Sequence, residues 1–345
     1  MRGVSNKATS DIIGNTFLPT PPPPGGDFSE AIYKESSVKF MAEILGLGGV
    51  CIDRLVRIAE MPAWDETQFI SAHATQQGGM VATAMVAVAR LGGNAEFIGG
   101  LGADDAGHFA LQTFQEARVK ADRIKIFPGE TTAFSFCLVQ ETTGSRALLH
   151  YPGVQAKAGL NLPAIDLTGV RFLHFDGYWF ETALQIAPQA KAQGITLTLD
   201  PCPQMLQNPQ AEALFRCVDY FIPSYAFAAQ LTGETDPFRA AARILQYGAQ
   251  AVIVTKGEEG CFITTAAERQ HLPAFEVPVV DTTGAGDVFH GAFLSGLQRG
   301  YALRQAAQFA SAVAALKCTK LGGQTGIPTF QETGAFLQAR GIWLS

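Results

Sequence analysis

The run Asp281-Thr282-Thr283-Gly284-Ala285-Gly286-Asp287 is where this sequence is best equipped to do chemistry. An apolar stretch over residues 275–280 reads as a strand leading in, and residues 285–298 read as an apolar helix leading out. A small-residue turn at the start of a helix leaves main-chain N–H groups without intrahelical partners. The helix dipole adds partial positive charge there, so a phosphate or another developing anion suits the place. Gly284 and Gly286 would let the backbone approach that anion with no Cβ between. Asp287 would stand in the first helical turn. There it could take a proton from an attacking hydroxyl while the N–H groups of Gly284, Ala285 and Gly286 hold the transferring phosphoryl. A Gly-rich turn is also an ordinary connector, so the turn alone does not decide.

Such a turn needs a scaffold. Strand signals at residues 44–52, 95–98, 170–175, 195–199, 218–222 and 251–254 alternate with helix signals at 80–91, 106–117, 181–193, 285–298, 303–316 and 331–339. The alternation predicts a mainly parallel sheet with helices on both faces. Residues 55–77 and 131–151 interrupt it, the latter with a turn at Thr142-Thr143-Gly144-Ser145, and are expected to leave the main sheet as a small β lid. The lid's unpaired strand edges could join two copies as a homodimer. Residues 1–42 read differently: Pro21 to Pro24 precede Gly25-Gly26, and no basic region feeds an apolar one. A disordered extension is expected there rather than a secretory signal, with one domain over 43–345.

Composition narrows the class. Apolar residues make up 47% and charged residues 16%, which supports a large core. A net charge of −6 with no basic stripe argues against a nucleic-acid partner. No apolar stretch reaches the ~20 residues of a membrane span. Cys51, Cys137, Cys202, Cys217, Cys261 and Cys318 are scattered without a C-x-x-C pair, as free thiols in a reducing cytoplasm would be.

The run from Asp281 to Asp287, continued by Phe289 and Gly291-Ala292, resembles almost residue for residue the signature of the PfkB (ribokinase-like) family of sugar and nucleoside kinases. The resemblance implies a ribokinase-like three-layer α/β/α sandwich with a β lid. It also implies ATP as phosphoryl donor, Mg²⁺ arriving with ATP rather than at a protein metal site, and Asp287 as base. Other segments fit in order. Asp53, read as the end of the first strand, falls where the family places a carboxylate for substrate hydroxyls, although a strand-end Asp is also a common turn residue. Gly78-Gly79 opening a helix resembles the family's glycine pair, with Thr83 at a position commonly Asn. Asp176 completes the substrate-side set. Gly99, Gly102, Asp104 and Gly107 resemble a structural turn of the family. Thr255, Gly257 and Gly260 match its nucleotide-bordering turn, which a plain hairpin would fit as well, and Thr282 and Gly322 join them as ATP-side residues. Residues 321–328 resemble the closing segment and 307–317 the helix beside adenine.

Some positions depart. Ser224 and Phe227 stand where an Asn-x-x-Glu element commonly organises Mg²⁺-bound water, and a phenyl ring cannot do that. Asp200 and Glu181 are the carboxylates that could stand in. Asp200-Pro201-Cys202-Pro203-Gln204 keeps the Asp of the family's D-x-N-x-R stretch but neither its Asn nor its Arg. The C-terminal half looks closest to the sulfofructose-kinase-like branch. Thr67, Phe134, Phe136, His150, Tyr178 and Trp179 are expected near the pocket and offer little for an anionic sugar beyond His150. A ketose or another polyol is therefore the expected substrate. A nucleoside, or a weakly catalytic sugar- or nucleotide-binding sensor, are the rival readings.

Overall fold

The computed structural model describes residues 42–157, 159–162 and 164–344, so the extension expected over 1–42 lies, apart from Ala42, outside the described residues. The described chain falls in the unit that begins at Ser36.

The first strand, β1 (Ile44–Leu47), is buried at every position because its side chains serve two cores. Ile44 packs into one, and Leu45 and Leu47 into the other. The chain then leaves this sheet at Gly48-Gly49 and continues as β2 (Cys51–Ile58) and β3 (Ala72–Gly78), followed by α1 (Met80–Arg90). After it come β4 (Ala95–Ile98), β5 (Gly100–Gly102), α2 (Asp105–Ala117), β6 (Lys125–Phe127), β7 (Phe134–Gln140) and β8 (Arg146–Tyr151). Regular alternation resumes with β9 (Phe172–Phe175), α3 (Phe180–Ala192), β10 (Thr196–Leu199), α4 (Ala211–Phe215), β11 (Tyr220–Phe221), α5 (Tyr225–Thr232) and α6 (Pro237–Leu245). The rest is β12 (Ala251–Thr255), β13 (Cys261–Thr265), β14 (Arg269–Leu272), α7 (Ala285–Gln298), α8 (Leu303–Lys317) and α9 (Phe330–Gln338).

Eight strands form the main sheet in the order β14-β13-β12-β11-β10-β9-β1-β4, parallel from β12 to β4 and closed by the antiparallel β13 and β14. One core joins this sheet to α1, α2, α7, α8 and α9; the other joins it to α3, α4, α5 and α6. The three-layer α/β/α expectation holds. A separate four-stranded sheet, β3-β2-β7-β8, contains the segments expected to leave the main sheet. Its inner face buries Leu55, Cys137 and Val139 against Leu321, while β8 is exposed along its whole length.

Three local expectations need correction. Asp53 does not end the first strand: the Gly48-Gly49 break places it third in β2, on the smaller sheet. Residues 275–280 form no strand; the N–H groups of Val280 and Asp281 both reach the Cys318 carbonyl instead, tying this segment to the end of α8. The helices α5 and α6 and the edge strand β14, unmarked by the sequence pattern, complete the second half.

Candidate active site

In an open parallel sheet, ligand-binding residues collect beyond the C-terminal strand ends. Here those ends present Gly48-Gly49 after β1, Asp176 after β9, Asp200 after β10, Ser224 after β11 and Lys256-Gly257 after β12. Asp287 reaches this edge from the start of α7, where it lies within electrostatic reach of Asp200, Arg146, His290 and Asp53.

The turn before α7 is fixed from behind. The buried Asp281 carboxylate accepts the N–H of Thr283 (2.8 Å) and of Gly322 (2.7 Å), and the buried Lys317 ammonium donates to the Asp281 carbonyl (2.9 Å). Gly284 takes φ 72° as the residue preceding the helix, and a Cβ there would sit 2.9 Å from the Gly323 Cα. Gly286 is exposed, and a Cβ there would meet nothing within 4 Å, so the space in front of the turn is open. The N–H groups of Gly284, Gly286 and Asp287 have no acceptor among the described residues. Ala285 differs from expectation, because its N–H closes a turn onto the Thr282 carbonyl (3.2 Å) and is not free. Three unpaired donors at a helix start suit an anion, and the front of Gly286 is open to admit one.

Asp287 itself is partly exposed to that space. Burial of its carboxyl, reinforced by the Asp200 carboxylate and opposed by Arg146 and His290, pushes its pKa up to about 7. A carboxylate poised there is a better proton acceptor near neutral pH than one of ordinary acidity. Asp200 faces His290 Nε2 at 3.3 Å, and the His290 ring tilts against His174, whose Nδ1 meets Thr198 Oγ1 at 2.8 Å. Of the two carboxylates considered as stand-ins, Asp200 lies beside Asp287, whereas Glu181 sits exposed at the start of α3. Ser224 and Phe227 have structural work: Ser224 Oγ accepts the Phe227 N–H at the start of α5, and Phe227 is buried beside Phe221.

Asp53 forms the opposite wall. A Cβ on Gly78 would lie 2.0 Å from its Oδ2, so glycine on β3 leaves the Asp53 carboxylate its place. Burial raises the Asp53 pKa, partly offset by Cys51, Ser135 and His150. Ser135 Oγ lies 3.1 Å from His150 Nδ1, and Tyr178 OH lies 3.4 Å from His150 Nε2. His150 thus closes a polar cluster around Asp53. Thr67 is exposed, and Trp179 is a core residue whose Nε1 donates to the Gly48 carbonyl (2.9 Å).

Several residues expected at the site also shape its walls. Asp176 is fully buried, and its oxygens accept the N–H groups of Gly49 (2.7 Å) and Tyr178 (2.8 Å), so it holds the β1–β2 break in place. Gly79 takes φ 102° before α1, with the Gly49 carbonyl where a Cβ would be. Thr83 is buried and accepts from Gln324 Nε2 at 3.4 Å. Thr255 extends β12 into a hairpin in which Gly257 (φ 52°) faces open space and Gly260 (φ 88°) packs against the Leu272 carbonyl. Gly322 backs the turn through Asp281, and Thr282 faces the smaller sheet.

That last contact brings in a residue the sequence did not mark. The tip of the β7–β8 hairpin rests on the turn: the Gly144 carbonyl accepts both the N–H (3.2 Å) and the hydroxyl (3.0 Å) of Thr282. Arg146 Nη1 donates to Thr282 Oγ1 at 3.4 Å and its charge acts on Asp287. An exposed Arg in an exposed strand carries no periodic signal that would have found it.

The family model for the pfkB family of carbohydrate kinases matches residues 49–330, which span both walls and the turn. The chain belongs to the PfkB carbohydrate kinase family. Among its relatives, the ribokinase of Haemophilus influenzae is 27% identical over 303 residues, covering 85% of this chain and 97% of that protein. Fructokinase-2 of Zea mays is 26% identical, covering 83% and 91%. The crystal structure of the Thermotoga maritima ribokinase superposes with a TM-score of 0.73 at 30% identity, covering 87% of this chain and all of that one. This PfkB-family member has the ribokinase fold and is an ATP-dependent carbohydrate kinase. No helix among the described residues is long and apolar enough to cross a membrane.

Proposed function

We propose that this kinase phosphorylates a hydroxyl of a small neutral sugar, a ketose or pentose, held between Asp53 and Asp287. The observation that carries the reading is the placement of Asp287 beside three unpaired main-chain N–H groups and within electrostatic reach of Asp53 across the cleft. The relatives named ribokinase and fructokinase support the sugar class.

In the reaction, the substrate oxygen attacks the γ-phosphorus of ATP, Asp287 takes the hydroxyl proton, and the bond to the ADP oxygen breaks. The N–H groups of Gly284, Gly286 and Asp287 receive the charge that collects on the phosphoryl oxygens. Arg146, lowered onto the turn by the hairpin tip, adds a positive charge from the opposite side and makes the smaller sheet a lid that excludes water. Mg²⁺ arriving with ATP would neutralise the phosphate tail, and Asp200 and Asp287, beside the open front of the turn, are the carboxylates that would face it. Asp53 orients substrate hydroxyls, with His150 and Tyr178 beside it. Thr255 and Gly257 border the nucleotide, while Gly78, Gly79, Thr83, Asp176, Gly260, Thr282 and Gly322 set the walls.

The deciding experiment is a coupled ADP-release assay over ribose, fructose, sulfofructose, aldonates, adenosine and inosine. Turnover of a neutral sugar is expected. Preference for an inosine-type substrate would move the protein to the nucleoside kinases, and preference for sulfofructose would revive that branch. Absence of any turnover would leave a binding protein. We further propose that it works in the cytoplasm, where the free thiols stay reduced. We also propose that it pairs through the lid, whose β8 exposes Leu148, Leu149 and Tyr151. A monomeric mass by sedimentation at micromolar concentration would exclude the dimer.

A further inference from the structure

Lys317 is a fully buried charged side chain that the reaction above leaves unused. It ends α8 as the continuation of the buried stripe Ala306, Ala310 and Val313, a position that helical spacing assigns to an apolar residue. Its side chain is fully buried, and its one recorded hydrogen bond among the described residues goes to the Asp281 carbonyl at 2.9 Å. Burial depresses its pKa, with Asp281 and Asp287 acting the other way. Taking an ammonium out of water costs several kcal/mol, and an apolar side chain of the same length would fill the space without that cost. The compensation lies in what the ammonium touches. Asp281 is the residue from which the whole turn hangs, through Thr283 on one side and Gly322 on the other. The residue after the helix, Cys318, supplies the carbonyl that receives the N–H groups of Val280 and Asp281. The end of α8 and the beginning of the turn are therefore locked together, with one positive charge inside the lock.

We propose that Lys317 is a resident cation of the phosphate turn: a positioning residue whose ammonium fixes the Asp281 carbonyl, and so aims the N–H groups of Gly284, Gly286 and Asp287 at the transferred phosphoryl. It acts through the turn and touches no substrate. The positive charge behind the turn also favours the anion in front of it, in surroundings that screen it poorly. The proposal rests on the kinase reading given above.

Lys317→Ala and Lys317→Met test it. Both variants are expected to lose about a hundredfold in kcat, the scale of removing one oxyanion-type donor, with KM for the sugar changed less than about threefold. The alanine variant leaves a space that a free ammonium or methylammonium ion can enter. Ammonium chloride is therefore expected to restore about tenfold of the lost kcat, and tetramethylammonium chloride at equal ionic strength to restore none. The methionine variant fills the space and gains from neither salt. Near-wild-type kcat in a folded Lys317→Met, or an equal response of Lys317→Ala to the two salts, overturns the proposal. If the alanine variant folds poorly, its melting temperature in the two salts reads the same site without any sugar, and equal values overturn it too. A wild-type protein that turns over no sugar would sink the substrate reading while leaving this salt comparison standing.

Discussion

At the Asp287 end of the cleft, the working groups are main-chain amides from one short segment, held from behind by Asp281, Lys317 and Gly323. At the Asp53 end they are side chains from four places: Cys51 and Asp53 on β2, Ser135 on β7, His150 on β8, and Tyr178 after β9. On the proposed reading, the first end meets the phosphoryl group transferred from ATP, which every reaction of such an enzyme shares. The second meets whatever carries the hydroxyl. A site made of backbone tolerates little variation where a glycine such as Gly284 takes a positive φ against a close neighbour. A site made of side chains can be rebuilt one residue at a time without disturbing the fold.

If that division is right, substitutions at the two ends fail in different ways. Asp287→Asn is expected to lower kcat about a thousandfold or more, since it removes the proton acceptor while leaving the amides in place. Nucleotide binding, read by thermal stabilisation with ADP and Mg²⁺, should remain within a few fold. A variant that keeps wild-type turnover would take the base role from Asp287. Arg146→Gln comes next. About a hundredfold loss in kcat is expected, because the guanidinium meets charge that builds only as the phosphoryl moves. A change confined to KM would instead make Arg146 a lid latch. At the other wall, Asp53→Asn is expected to raise KM for the sugar about tenfold or somewhat more, the worth of one charge-assisted hydrogen bond. Were kcat to fall as far as in Asp287→Asn, the two ends would not be separable and the comparison would break.

The same division explains what the sequence made legible. The turn could be read in advance because Gly284 needs a positive φ with Gly323 close behind it, while Gly286 keeps the front of the turn free of any side chain. The α/β alternation was legible because buried parallel strands such as β1, and β12 up to Val254, are unbroken apolar runs. Asp53 was placed one element too early, since two glycines inside an apolar run give no hint that the chain changes sheets at Gly48. Asp176 was read as a substrate-side residue, and that both its oxygens also accept main-chain N–H groups is something only the folded β1–β9 neighbourhood determines. Arg146 went unnoticed because its partner Thr282 lies 136 residues away. A basic residue at a helix end is common, so nothing marked Lys317 apart from its register with Ala310 and Val313.

The smallest expected effect concerns stability, and it tests whether the phosphate end stores a cost when empty. The Asp287 carboxyl has a folded pKa of about 7, raised first by burial and then by Asp200. In the unfolded chain the same group ionises near the ordinary ~3.9. Between those values the folded state binds more protons than the unfolded one, so stability must fall as pH rises through the window. Below about pH 4 both states are protonated and nothing is lost; above about pH 7 the loss is complete. Asp287→Asn removes this dependence and keeps that of Asp176, whose pKa is also raised to about 7. The ligand-free variant should therefore gain on the wild type as pH rises from 5 to 8, by on the order of 1–2 kcal/mol once partial exposure is allowed for. Thermal melts at the two pH values measure it. An offset between variant and wild type that does not change with pH would mean that Asp287 is already ionised at little cost in the empty cleft, and that its partners, rather than the arriving substrates, settle its charge.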